Sequence, residues 1–145
     1  MKLIRRINEE LKPTNTETTG FHINIENETT KNKDYRRVLY TTDQSQLVVM
    51  SIQPGDEIGE EVHNATQFIR VDAGNGKSII NGNKREFVDG DAIVVPAGAN
   101  HNIINTGDKP LQLYTVYSPP QHKKDTVHKT KADDNDDHFN GKKDK

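Results

Sequence analysis

An all-β fold, a sandwich or barrel of short strands, is the class that this 145-residue sequence predicts. Three observations carry the prediction. Turn-forming clusters recur at close, nearly even spacing, at Gly74-Asn75-Gly76, Asn81-Gly82-Asn83, Asp89-Gly90-Asp91 and Thr106-Gly107-Asp108-Lys109-Pro110. Asn-Gly pairs tolerate the positive φ angles that two-residue hairpins need. The runs between these clusters are short and rich in β-branched and aromatic residues, and no long helical period interrupts them.

Taken in order, the chain begins with a short helical possibility. Leu3, Ile4, Ile7 and Leu11 share one helical face, and Pro13 closes the segment. Phe21 to Glu26 alternates apolar with polar residues, the pattern of a half-buried strand. Arg37 to Thr42 reads as a second strand. Leu47 to Ile52, apolar on both faces, reads as a third with the barrel interior on one side and neighbours on the other. Further strands follow at Phe68–Val71, Lys77–Ile80, Arg85–Val88, Ala92–Val95, His101–Ile104 and Leu111–Tyr117. Composition shifts after Ser118-Pro119-Pro120. The last 25 residues hold seven Lys and six Asp, with Val127 and Phe139 as the only large apolar side chains. Such a segment buries too little surface to offset its ordering entropy and is expected to be a disordered charged tail. The alternative, with His122 and His128 folded back over the barrel mouth, has less support in the composition. The expected organisation is an N-terminal segment at 1–19, a barrel at 20–120 and the tail at 121–145.

Composition limits the function. Hydrophobic residues make up 30% of the chain and the formal charge is −2, from 20 Lys+Arg against 22 Asp+Glu, so there is no electrostatic case for nucleic acid. There are no cysteines, which excludes disulfides, zinc ribbons and thiol catalysis. No apolar run approaches a membrane span, and the expected setting is the cytoplasm.

The residues with metal-ligand chemistry fall in two stretches between Gly55 and Asn105. Side chains two apart on a strand point the same way, so Glu61 and His63 face together with Val62 opposite. Asn64-Ala65-Thr66 is long enough for a tight turn, after which Gln67 returns to the same interior. His101 arrives from a distant part of the chain, behind a Pro-Ala-Gly loop. Two imidazoles, a carboxylate and an amide oxygen form a sensible set of donors for a divalent cation. A histidine on a strand is also an ordinary packed or surface residue, and spacing alone does not choose between the two.

The motifs themselves carry a resemblance. Gly55-x5-Glu61-x-His63-x3-Gln67-x6-Gly74 has the spacing of the first cupin motif, usually G-x5-H-x-H-x3,4-E-x6-G. Gly90-x5-Pro96-x-Gly98-x2-His101-x3-Asn105 matches the second cupin motif at each defining position. The chain resembles the small single-domain cupins labelled mannose-6-phosphate-isomerase-like, including its Tyr-Ser-Pro-Pro exit. The resemblance implies a double-stranded β-helix, the jelly-roll cupin barrel, with metal ligands at Glu61, His63, Gln67 and His101. Two positions depart from the usual set, Glu61 standing where His is expected and Gln67 where Glu is expected. The ligand charge is −1 in both sets, because the carboxylate has moved and the amide is neutral. The balance of two nitrogen and two oxygen donors favours Fe, Mn or Zn over copper. Asn105 and the glycines at 55, 74, 90 and 98 read as turn-formers, and Arg70, Tyr114, Tyr117 and His122 as candidates for contacts around the site.

These implications leave three functions open. One is a metal-dependent enzyme, an isomerase or epimerase on a sugar or sugar phosphate, or a non-haem-iron-type dioxygenase on a small organic molecule. Another is a non-catalytic module that binds metal and a small-molecule ligand. The third is a metal-free structural barrel. Strand edges, with the segment at 3–11, lead to the expectation of a homodimer without nucleic-acid or membrane partners.

Overall fold

The structure, a computed structural model, describes residues 19–134, so the helical segment expected at 3–11 lies outside the described residues. One helix, α1 (Ile25–Lys31), precedes ten strands: β1 (Arg36–Thr41), β2 (Gln46–Ile52), β3 (Glu61–Val62), β4 (Thr66–Ala73), β5 (Asn75–Ile80), β6 (Asn83–Val88), β7 (Ala92–Val95), β8 (Asn100–Asn105), β9 (Leu111–Ser118) and β10 (Val127–His128). A single 3₁₀ turn follows at Lys131–Asp133. Every pairing is antiparallel, in a six-stranded sheet ordered β10-β1-β2-β9-β4-β7 and a four-stranded sheet ordered β3-β8-β5-β6. This is the predicted jelly-roll, and no described helix is long and apolar enough to cross a membrane.

The period of two along each strand divides inside from outside. Val48, Met50 and Ile52 of β2, Ile69 and Val71 of β4, and Leu111, Leu113 and Tyr117 of β9 meet Phe87 of β6 and Ile103 of β8 in one core between the sheets. The hairpin between β5 and β6 turns through Asn81 (φ 48°) and Gly82 (φ 85°), the geometry that Asn-Gly supplies. Gly76, taken from sequence as part of a turn, instead lies within β5. A Cβ there would overlap the Ile104 carbonyl and stand 2.6 Å from Phe87 Cζ, so β5 fits between its neighbours β6 and β8 only as glycine at this position. Asn105 is buried and ties β8 to its surroundings. Its Nδ2 donates to the carbonyls of Ile52 (2.8 Å) and Lys109 (2.9 Å), and its Oδ1 accepts from Gly107 N (2.9 Å).

Two expectations are corrected. Phe21–Glu26 is not a strand: Asn24 caps α1 by accepting from Asn27 N at 3.0 Å, with Glu26 and Glu28 in the first turn and Lys31 in the last. Those charges complement the helix dipole, and the cap overrides a weak alternation. The helix lies on the outer face, where Gln112 Nε2 of β9 donates to the carbonyls of Thr30 (2.8 Å) and Asn32 (3.0 Å). This accounts for burial of the outward Val49 and Ser51 of β2. The second correction concerns the tail. Residues 121–134 are not a solvated tail but pack along β1, while 135–145 lie outside the described residues. Gln46 explains the first part of this docking. Its Nε2 donates to Thr41 Oγ1 (3.0 Å) and the His122 carbonyl (2.7 Å), and its Oε1 accepts from Gln121 N (3.1 Å) and His122 N (3.0 Å). A buried amide with all of these partners fixes the chain as it leaves β9.

Candidate metal centre

The two-residue strand β3 places the first ligand-type side chain. Glu61 pairs with His101 and Val62 with Asn100, so Glu61 and His101 project from one face of the small sheet while Val62 is exposed. His63 follows two residues on and shares that face, buried, with its Nε2 3.0 Å from Glu61 Oε1. The loop before β8 is bound to this stretch: Gly98, at φ 87°, donates its N–H to the His63 carbonyl at 2.8 Å. Positive φ at that bend explains glycine there. Ala99 then presents its carbonyl to His101 Nδ1 at 3.0 Å. A carbonyl only accepts, so Nδ1 carries the proton and Nε2 keeps its lone pair. Burial holds the His101 pKa below its ordinary value, against the opposing pull of the Ala99 bond, so the ring is neutral at pH 7.

Glu61, His63 and His101 bring one ligand atom each to within 4.8 Å of one another. The structure therefore unites three of the four positions picked out in the sequence. Adjacent donors around one ion at bonds of about 2.0–2.2 Å stand about 3 Å apart, the separation of His63 Nε2 from Glu61 Oε1. Gln67 is buried on β4, directly opposite Tyr117 of β9, whose ring meets that of His63 edge-on at 5.5 Å. Its Nε2 is held by Thr115 Oγ1 at 3.1 Å, while its Oε1 is buried without a hydrogen-bond partner among the described residues. A buried amide oxygen left unpaired on this inner face suits a divalent cation, because burying it without a partner is otherwise costly.

Around these residues the candidates separate. Tyr117 and His122 are at the site: their rings meet edge-on at 5.3 Å, extending the row that starts with His101 and His63, whose centroids are 5.2 Å apart. Burial pushes the Tyr117 phenol well above its ordinary pKa, so it stays protonated. Arg70 and Tyr114 are not at the site. They occupy outward positions on β4 and β9, alternating with inward Ile69, Val71, Leu113 and Thr115. Sequence reading missed Arg36 and Gln46. Both were legible as polar residues in phase with inward apolar ones, Arg36 with Val38 and Gln46 with Val48. The centre is nearly closed, for Glu61 keeps 17% side-chain exposure and His63 2%. Surface cavities of about 780 and 320 Å³ lie over β5, β6 and β7, and neither is lined by these residues.

Comparison with known proteins follows the same lines. The family described as Cupin domain matches residues 48–117. The uncharacterised protein YrkC of Bacillus subtilis is 44% identical over 120 residues, covering 78% of this chain and 64% of YrkC; the chain thus spans just under two thirds of that relative. The crystal structure of BH2720 from Bacillus halodurans is 47% identical with a TM-score of 0.76, covering 78% of this chain and 91% of that one. A predicted oxalate decarboxylase from Thermotoga maritima is 25% identical with a TM-score of 0.50, over 52% of this chain and 66% of that one. Fold, paired motifs and relatives agree: the chain belongs to the cupin superfamily.

Proposed function

We propose that this cupin is a divalent-metal enzyme acting on a small, oxygen-rich substrate, with isomerisation or epimerisation of a sugar or sugar derivative as its first reaction class. The observation that carries the metal reading is the convergence of Glu61, His63 and His101 within 4.8 Å, with His101 Nε2 left as a lone pair by its Ala99 bond. Gln67 completes the set with its unpartnered oxygen. A divalent ion held there supplies Lewis acidity to a substrate oxygen. Glu61 brings the single negative charge of the donor set. Tyr117 walls the site beside His63 as a protonated phenol, and the near-closure of the pocket keeps bulk water from it.

The reaction class comes from the resemblance of the paired motifs to isomerase-like cupins. The donor set favours a second reading, since two His and one carboxylate are the ligand composition of non-haem iron oxygenases. A phosphate dianion has little support. Arg36 is the one buried Arg or Lys among the described residues, and it is already paired with Asp134. The proposal includes a homodimer, for which Val88 of β6 and Val94 of β7, both exposed on edge strands, supply apolar surface.

The test is a turnover screen on protein loaded with Fe(II), Mn(II) or Zn(II), run in deuterated water and over a dioxygen electrode. Solvent deuterium entering a hydroxy-carbonyl sugar without dioxygen uptake supports the isomerase. Dioxygen uptake only with Fe(II) replaces it with the oxygenase. Metal bound with neither outcome makes the protein a binding module.

A further inference from the structure

We propose that the chain's own segment at 3–11 docks on the outer face of the six-stranded sheet, along a row of apolar side chains that α1 leaves uncovered. The segment lies outside the described residues. The surface itself, and the place where the described chain enters it, both point to this occupant.

Ladder registers fix the row. Tyr40 of β1 stands opposite Leu47 of β2, Leu47 opposite Val116 of β9, Val116 opposite Phe68 of β4, and Phe68 opposite Val94 of β7. Leu47, Val116, Phe68 and Val94 alternate with inward neighbours on their own strands and so project outward. Tyr40 shares their face through its pairing with Leu47. Neighbouring strands lie about 4.8 Å apart, so the row is about 19 Å long. Burial shows α1 covering the next row instead. Two residues along β2, Val49 is 0% exposed, whereas Leu47, Val116 and Phe68 are only half-buried and Val94 is 57% exposed. A contiguous apolar strip left at the surface in this way marks a place where something docks.

The described chain arrives at one end of the row. Phe21 stacks on Tyr40, with ring centroids 5.1 Å apart and planes at 18°. The sequence before Phe21 therefore starts on the outer face of the sheet, at its β1 side. Nine residues separate Leu11 from Phe21, enough chain to cross about 30 Å, so the segment reaches every position of the row. As a helix, 3–11 is about 12 Å long, with Leu3, Ile4, Ile7 and Leu11 on one face and Arg5, Arg6 and Glu9 on the other. That length matches the stretch of about 10 Å from Leu47 to Phe68, and it leaves Val94 free at the β7 edge. A tethered segment also meets the row at a local concentration of about millimolar, which favours it over a second copy of the chain.

The test is disulfide trapping, which the absence of native cysteine makes clean. In the full chain, Ile7→Cys is combined in turn with Leu47→Cys, Val116→Cys and Phe68→Cys, and each protein is oxidised with diamide. Ile7→Cys with Val62→Cys, exposed on the other sheet, is the control. At least one of the three pairs should close within a single chain, about tenfold faster than the control. Chains linked in twos would put a second copy on the row, and rates equal to the control would mean that the segment has no fixed seat; either result overturns the proposal. Ile7→Asp leaves the barrel untouched and serves if the paired variants fail to fold. It should uncover the row, raising the fluorescence of the apolar probe ANS about threefold or more without changing the mass in solution. Unchanged fluorescence, or a mass halved by the substitution, overturns the proposal as well.

Discussion

Replacing Gln46 with Ala tests how the end of the barrel is held. The side chain is 1% exposed, and its loss strands three buried backbone groups: the N–H of Gln121, the N–H of His122 and the carbonyl of His122. Each buried polar group left without a partner costs about 1–3 kcal/mol. If all three stay dry, the loss is about 3 kcal/mol or more, which for a domain of this size lowers Tm by about 10 °C. The chain has one escape, to lift residues 121–134 from β1 and hydrate those groups. The loss is then capped at the cost of undocking, and the segment becomes open to protease. Thermal unfolding together with limited proteolysis, cleaving after Lys123, Lys124, Lys129 and Lys131, reads both routes. A variant within about 0.5 kcal/mol of wild type and cut no faster would refute the assignment of Gln46 as the fastening of this segment.

Other expectations follow from single contacts. Gly76→Ala sets a Cβ against the Ile104 carbonyl and 2.6 Å from Phe87 Cζ; chemical denaturation should show a loss of about 1–3 kcal/mol. Gln67→Glu puts a carboxylate where the buried amide oxygen now lacks a partner, and competition with a chelator should show roughly tenfold tighter binding of Mn(II) or Zn(II). Burial lowers the His101 pKa, so at mildly acid pH the unfolded chain takes a proton that the native ring refuses. Stability of metal-free protein should therefore be full above about pH 6.5 and fall below it, down to the lowered native pKa. His101→Gln should flatten that limb when denaturation is followed against pH.

Strand positions were legible because turns and periodicity agreed: β7 falls where Ala92–Val95 was expected, and β9 extends Leu111–Tyr117 by one residue. Glu61, His63 and His101 were legible because period two and two spaced motifs pointed to one interior. The strand at Glu61 was read correctly, but its shortness and its pairing of Glu61 with His101 were not legible, since two residues carry no period. α1 was misread because an apolar alternation outweighed the Asn24 cap. Residues 121–134 were misread because composition averages over a segment, whereas Gln46 and Arg36 hold this one through a few buried polar contacts. A polar residue in phase with the core, as Arg36 is with Val38, was the available signal.

The most direct measurement is elemental analysis of purified wild-type protein beside His101→Ala, with circular dichroism on both. His101 comes from the far motif and contributes a lone pair fixed by Ala99, so its loss should empty the centre without unfolding the sheets. One divalent ion per chain in the wild type, and little or none in a folded His101→Ala, is the predicted result. A wild type that takes up no Fe, Mn or Zn, or a His101→Ala that keeps full occupancy, would contradict the assignment of Glu61, His63, Gln67 and His101 as a metal centre.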